Sequence, residues 1–86
     1  MRKGVHEAFI AAFLDQVRRD RGLPGNAFKV AYAIAQYINR ETREAWPSQD
    51  TLIDMTSLSE PTIKRLIAAL QARGHLHVQP GQRSSG

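Results

Sequence analysis

The chain has 86 residues, of which 42% are hydrophobic and 23% are charged. This length suits a single domain over residues 1–86 and excludes a multidomain enzyme, while the composition excludes disordered and collagen-like chains. Cysteine is absent, which excludes disulfides, thiolate metal sites and thiol nucleophiles. The longest apolar run, residues 8–14, is far shorter than the ~18 residues of a membrane span, and no signal-peptide pattern follows it. We therefore expect a cytoplasmic protein that does not enter a membrane, with flexible ends at residues 1–4 and 81–86.

The net charge of +4 is concentrated at one end of the chain. Residues 1–60 hold eight basic and eight acidic side chains, so their charges cancel. Residues 61–86 hold no acid and four basic side chains, Lys64, Arg65, Arg73 and Arg83. Such an asymmetry indicates an anionic partner, for which nucleic acid is the commonest candidate. Another basic cluster, at residues 18–21, is balanced by Asp15 and Asp20 and is expected to be solvated.

The first predicted helix covers residues 5–20 and is apolar on more than one side. Phe9 and Phe13 recur at helical spacing, and Ile10 and Leu14 widen the apolar stripe to more than half of the circumference. A small domain needs only one face of such a helix for its core, so the second face is predicted to form a homodimer through Ile10 and Leu14. The alternative is that the next helix covers both faces.

The second predicted helix, over residues 25–40, follows a turn rich in glycine and proline. One of its faces is formed by small and aliphatic side chains, which are Ala27, Val30, Ala31, Ile34, Ala35 and Ile38. Phe28, Tyr32 and Tyr37 leave few clearly polar positions on the rest of the helix. This pattern is typical of a central core helix.

Two shorter helices with serine caps are predicted in the second half of the chain. Ser48 is placed to cap a helix over residues 49–55, and Ser59 to cap a helix over residues 60–73. Gly74 then suits the left-handed position that ends a helix. The last helix has a regular inner stripe, which consists of Ile63, Leu66, Ile67 and Leu70.

The remaining apolar segments predict a minimal two-stranded sheet. Trp46 precedes Pro47, which favours extended backbone, so residues 45–46 are predicted to pair with a strand at residues 76–78 and Trp46 to lie in the core. A turn at residues 79–82 and a polar tail follow. Arg83 and its neighbours are expected either to lie on phosphates or in a minor groove, or to be a disordered end.

The two short helices and the turn between them have the parts of a helix-turn-helix, including one buried aliphatic side chain, Leu58, in the turn. Opposite the inner stripe of the last helix, a helical wheel places Pro61, Arg65, Ala68 and Ala72, flanked by Thr62, Lys64 and Ala69. This outer face is small and basic. A helix of this kind can approach a major groove and reach base edges and phosphates.

Three segments, W-P-S-Q-D-T-L at residues 46–52, L-S-E-P-T-I-K-R at residues 58–65 and L-Q-A-R-G at residues 70–74, resemble a known family. They are similar to the winged helix-turn-helix domains of bacterial and phage plasmid-replication initiators and related small regulators. The resemblance, which spans residues 23–80, implies a mainly helical fold of about four helices with a minimal two-stranded sheet and an incomplete wing.

The chain departs from that family's pattern in three places. Ile53 stands where alanine is usual, and Ser57 where glycine is usual. A residue other than glycine in a left-handed turn costs roughly 1 kcal/mol. The chain also ends before the second strand of a wing, so it is expected to be either a fragment of a longer protein or a domain whose wing is a flexible basic tail.

The resemblance and the residue pattern together predict sequence-specific binding of double-stranded DNA, in replication initiation or in transcription regulation. The expected DNA contacts are Ser48, Gln49, Ser59, Pro61, Thr62, Lys64, Arg65 and Arg83. Ser59 is expected both to cap its helix and to contact DNA. For Ser48 and Gln49, a phosphate contact and a plain helix cap with an exposed neighbour are equal alternatives. The competing hypothesis is a protein-protein interaction module, a winged helix that binds another regulator instead of DNA.

No catalytic site, metal site or cofactor is expected from the sequence. His75 and His77 would share one face of the predicted strand, but no third metal ligand accompanies them, which favours a structural or surface role. The carboxylates Asp50, Asp54 and Glu60 have neither a nucleophile nor a glycine-rich phosphate loop beside them. Recognition, not chemistry, is therefore the predicted activity.

Overall fold

The computed structural model describes residues 2–77, with side chains from residue 4 onward, and is built from helices. In chain order these are α1 (Arg2–Arg19), α2 (Ala27–Ala35), α3 (Gln49–Thr56) and α4 (Glu60–Ala72). Each coincides with one predicted helix, so the mainly helical architecture with four helices is confirmed. No helix in the described part of the chain is long and apolar enough to cross a membrane.

Helix α2 occupies the centre of the core and packs against each of the other three helices. Its buried side chains are Ala27, Val30, Ala31, Ala33, Ile34 and Ala35. Val17 of α1, Leu52 of α3 and three residues of α4 complete the buried cluster around them. Because most of the buried α2 side chains are alanine, neighbouring helices can approach its backbone closely. The prediction of a central core helix is confirmed.

Helix α2 ends earlier than predicted, at Ala35, because Asn39 organises a separate turn. The Asn39 side-chain oxygen accepts hydrogen bonds from the backbone N–H groups of Glu41, at 2.8 Å, and Thr42, at 2.9 Å. The Asn39 backbone N–H donates to the carbonyl of Glu44 at 2.8 Å, which closes the loop on itself. Asparagine competes with helix formation through such local bonds. The predicted extension of the helix to residue 40 was therefore wrong.

The predicted sheet is not formed within residues 2–77. Neither residues 45–46 nor residues 76–77 form a strand. Ala45 and Leu76 pack their side chains against the core instead. A pairing of two or three residues provides too few hydrogen bonds to be stable by itself. Trp46 is 53% exposed, so its predicted place in the core was also wrong. The predicted turn at 79–82 and the rest of the predicted wing lie outside the described residues.

Candidate nucleic-acid interface

Helices α3 and α4 begin with the same arrangement of serine and threonine hydroxyls. The Ser48 Oγ accepts a hydrogen bond from the Thr51 backbone N–H at 3.1 Å, and the Ser59 Oγ accepts one from the Thr62 N–H at 3.4 Å. Each serine in turn donates to the threonine Oγ1, at 2.9 Å and 3.0 Å respectively. Both predicted N-caps are confirmed, and they fix where the two helices begin.

The turn between α3 and α4 depends on a buried threonine. Thr56 is 2% exposed, and its Oγ1 donates to the Leu52 carbonyl at 2.7 Å while accepting from the Leu58 backbone N–H at 3.1 Å. The next residue, Ser57, has φ 63° and ψ 23°, which is the left-handed conformation. This is the position where the resemblance places a glycine, so a serine here takes a conformation that glycine adopts more readily. The hydroxyl of Thr56 thus links the last turn of α3 to the residue that precedes the cap of α4.

Helix α4 has one buried and one exposed face, as the wheel predicted. Ile63 and Leu70 are fully buried and Leu66 is 4% exposed, whereas Ile67 is only half-buried. The exposed positions of the outer face are Pro61, Lys64, Arg65, Ala68 and Ala72, while Thr62 is half-buried at its edge. Together with the exposed cap Ser59, the α4 residues predicted to contact DNA are gathered at the N-terminal end of one helix face.

The two cations of this face differ in their surroundings. The Lys64 ammonium lies 3.3 Å from the Glu60 carboxylate in an exposed pair one helical turn apart. Arg65 is exposed and has neither an ion pair nor a hydrogen bond to any residue within the described range 2–77. The exposed Lys64–Glu60 pair contributes little to stability, so Lys64 can readily exchange Glu60 for another anion. Arg65 is therefore the guanidinium on α4 that is available to a ligand without breaking a protein contact.

The start of α3 is a less open surface. Ser48 is exposed, but Gln49 is half-buried and its Oε1 is enclosed without a hydrogen-bond partner among the described residues. Ser48 therefore presents its backbone and hydroxyl at a helix N-terminus, whereas the Gln49 oxygen is turned away from solvent. Arg83, the remaining predicted contact, lies outside the described residues.

One polar cluster was not predicted by the sequence pattern. Asp20, at the end of α1, accepts hydrogen bonds at Oδ2 from Arg73 Nε and His75 Nε2, both at 2.7 Å, and at Oδ1 from the Gly22 backbone N–H at 2.9 Å. Gln16 donates to the other ring nitrogen of the histidine at 2.7 Å. We refer to Gln16, Asp20, Arg73 and His75 as the corner clamp.

The corner clamp changes the interpretation of two charged residues. The hydrogen bond from Arg73, followed by those from His75 and Gly22, holds the pKa of Asp20 well below its usual range, so it is ionised at neutral pH. The Asp20 carboxylate in turn raises the pKa of Arg73. Arg73 is thus neutralised within the fold and contributes less to the basic end of the chain than its sequence position indicated. The only local signal was an aspartate two residues before a glycine, a common turn pattern.

Comparison with known protein families identifies the type of domain. Residues 21–76 match a protein family described as a helix-turn-helix domain. The matched region contains α2, α3 and α4 and every predicted contact residue except Arg83. It does not include α1. No match was found among curated proteins or solved structures.

Proposed function

Since this chain belongs to the family of helix-turn-helix domains, we propose that it binds double-stranded DNA sequence-specifically, with α4 in the major groove. The observation that carries the proposal is the outer face of α4, on which Arg65 is exposed and without a partner in the described residues. The small side chains of Ala68 and Ala72 on the same face would let the helix come close to the floor of the groove. Base edges would then be within reach of Arg65. A guanidinium pairs with two acceptors of guanine, which is the commonest specific contact.

The other predicted contacts would position the domain on the DNA backbone. Lys64 can exchange Glu60 for a phosphate, and the N-terminus of α3 at Ser48 offers backbone N–H groups of the kind that bind phosphates. Gln49 would contribute through its amide nitrogen, since its oxygen is enclosed. Arg83 would extend the contacts along the backbone from the tail.

Binding should depend on salt to an extent set by a small number of phosphates. About four to six basic or amide groups can face the backbone, so we expect a slope of about −4 to −5 in a plot of log affinity against log salt concentration. Fluorescence anisotropy with labelled random and selected duplexes measures this slope. A slope near zero would contradict the electrostatic basis of the proposed DNA binding.

A gel shift at low salt tests DNA binding directly. If no complex formed even at high micromolar protein, this result would contradict DNA binding and favour the protein-interaction alternative.

We propose a cytoplasmic location from the sequence, and a binding role without catalysis. The support for the binding role is the site itself, in which the exposed groups are hydroxyls, cations and small side chains at the start of a helix. Such groups recognise a polyanion. Both a replication-initiator role and a transcription-regulator role use this surface in the same way, and the resemblance of residues 46–74 supports either.

We further propose that the domain forms a two-fold homodimer through α1 and the adjoining edge of α2. Ile10 and Leu14 are only half-buried, and Leu14 and Phe28 line a shallow groove between the two helices. At the rim of this groove Asp15 pairs with Arg18 of its own helix. A rim with both signs of charge is self-complementary, because a two-fold axis brings each aspartate to the arginine of the other copy. The proposed occupant is therefore a second copy of this chain.

The dimer can be tested by sedimentation velocity over a range of concentrations. We expect the wild type to associate and Ile10→Glu to be monomeric, since Ile10 is not packed against the core and a carboxylate there would be desolvated in the interface. Val5→Glu is the matched control, because Val5 is exposed and lies on the side of α1 opposite to Ile10 and Leu14. A wild type that remains monomeric at high concentration and on a DNA site would contradict the dimer.

A further inference from the structure

The corner clamp joins two helices whose backbones have little other contact. Helix α1 packs on α2, and α4 packs on α2 and α3, so α2 separates the first helix from the last. The clamp crosses this separation through hydrogen bonds between residues 53 to 59 positions apart in the chain. Gln16 and Asp20 also lie outside the region that matches the helix-turn-helix family, which begins at residue 21.

We propose that Gln16 and Asp20 are positioning residues for DNA recognition, which hold the C-terminal end of α4 and set the direction in which the chain leaves it. The effect on DNA recognition rests on the proposed function, because it concerns the orientation of α4 on DNA. The link between α1 and the end of α4 depends only on the contacts of the clamp.

The backbone at the end of α4 brings His75 into the clamp. Gly74 has φ 83°, and the His75 N–H donates to the Leu70 carbonyl at 2.9 Å while the Gly74 N–H donates to the Gln71 carbonyl at 3.0 Å. These two bonds define the glycine-ended helix stop known as the Schellman motif. The chain therefore reverses at Gly74, and the His75 side chain is only 6% exposed.

The imidazole of His75 uses both ring nitrogens in the clamp. With the proton on Nε2, the ring donates to Asp20 and accepts from Gln16 at Nδ1, and the tautomer is assigned from these partners. A ring held on both sides has a fixed orientation, so the backbone that carries it is fixed with it. The structural role expected for this histidine is thus a link between α1 and the end of α4.

The absence of a side chain at Gly22 makes room for Arg73. A Cβ atom at residue 22 would collide with the Arg73 guanidinium. The Gly22 backbone N–H also donates to Asp20, so the same residue orients the carboxylate and admits its partner. An alanine at this position would displace the guanidinium without changing any charge.

Control of the far end of α4 matters for recognition because the helix is rigid. Its 13 residues span about 20 Å, and the proposed DNA contacts lie in the first turns. The cap and the preceding turn fix the N-terminal end, and the clamp fixes the other. Two fixed ends define the axis of the helix, and recognition by side chains tolerates only small errors in that axis.

The test compares two clamp variants, Asp20→Asn and Gly22→Ala, with the control Asp54→Asn. Asp54 is a suitable control because it is an exposed aspartate of α3 that belongs neither to the clamp nor to the proposed dimer and DNA surfaces. Without DNA, we expect amide exchange of His75 to be faster by about tenfold or more in both clamp variants and unchanged in the control, while core amides of α4 retain their protection. Unchanged exchange at His75 would overturn the clamp.

On DNA, the clamp variants should lose about threefold to tenfold in affinity at a temperature where all proteins are fully folded. A double-mutant cycle with Arg65→Ala distinguishes positioning from general destabilisation, because the two losses should be less than additive. Additive losses, or affinities equal to that of the wild type, would overturn the positioning role. Failure of the wild type to bind any duplex would overturn the proposed function and that role with it, whereas the exchange measurement judges the clamp independently.

Acidification provides a second readout of the same clamp. The pKa of Asp20 is lower in the folded than in the unfolded chain, so its stabilising contribution is complete above the unfolded value of about 3.9 and is lost as the pH falls below it. Arg73 and His75 are the charged and titratable groups that face Asp20. The difference in melting temperature between wild type and Asp20→Asn should therefore shrink below about pH 4. A difference that does not change with pH would contradict the ionised carboxylate in the clamp.

Discussion

Leu66→Ala is expected to lower the free energy of unfolding by ~2 to 5 kcal/mol. Leu66 is 4% exposed and lies in the buried cluster between the fully buried Ile63 and Leu70. The facing helix α2 offers mainly alanine side chains, which have no rotamers with which to fill the cavity. The loss therefore includes both the burial of the leucine and the empty volume that remains.

Urea denaturation measures this loss of stability, with the slope of the transition as a check that unfolding remains cooperative. Gln71→Ala is the matched control, since Gln71 is exposed on the same helix, and it should change stability by less than about 0.5 kcal/mol. A loss below about 1 kcal/mol for Leu66→Ala would show that the core around α4 is looser than the burial of these residues indicates.

Arg65→Ala should weaken binding to a specific duplex by ~1 to 3 kcal/mol while leaving the melting temperature unchanged. Arg65 and Leu66 are adjacent in the chain, but their side chains point about 100° apart around the helix. Arg65 is exposed and makes no polar contact with another described residue, so its removal breaks nothing within the fold. What is lost is the pairing of the guanidinium with base acceptors or phosphates.

The affinities of Arg65→Ala and of Lys64→Ala should be compared on a specific and on a random duplex. Lys64 is the matched control, because it is an exposed cation on the same face that is paired with Glu60. We expect its loss to weaken both complexes equally, as for a phosphate contact, whereas Arg65→Ala should reduce the preference for the specific site. A folded Arg65→Ala protein that binds as tightly as the wild type would show that α4 is not the reading element.

The helices and their caps could be predicted from the sequence because they depend on residues close together in the chain. A capping serine before each segment, and an apolar residue at every third or fourth position, predict where α3 and α4 begin and which face of α4 is buried. The position of Ser57 in a left-handed turn followed from the resemblance, and its positive φ confirms it. The outer face of α4 could therefore be assigned to named residues.

The errors arose where a polar side chain or a distant contact decided the structure. Asn39 ends the helical region through bonds to its own following backbone, although the apolar pattern continues to Ile38. The corner clamp joins residues more than 50 positions apart, and no periodic pattern reports such a contact. Trp46 is exposed although it was predicted in the core, and large aromatic side chains are seldom completely buried.

The paired hydroxyls at the start of α4 determine the direction in which hydrogen is donated to a ligand. Ser59 gives its hydroxyl proton to the Thr62 oxygen, and its own oxygen is occupied by the Thr62 backbone N–H. No described residue accepts the Thr62 hydroxyl proton, so this proton is available to a ligand. Thr62 is therefore a donor that costs no protein hydrogen bond when it is used. The phosphate oxygens and purine N7 atoms of DNA, which only accept, are suitable partners for it.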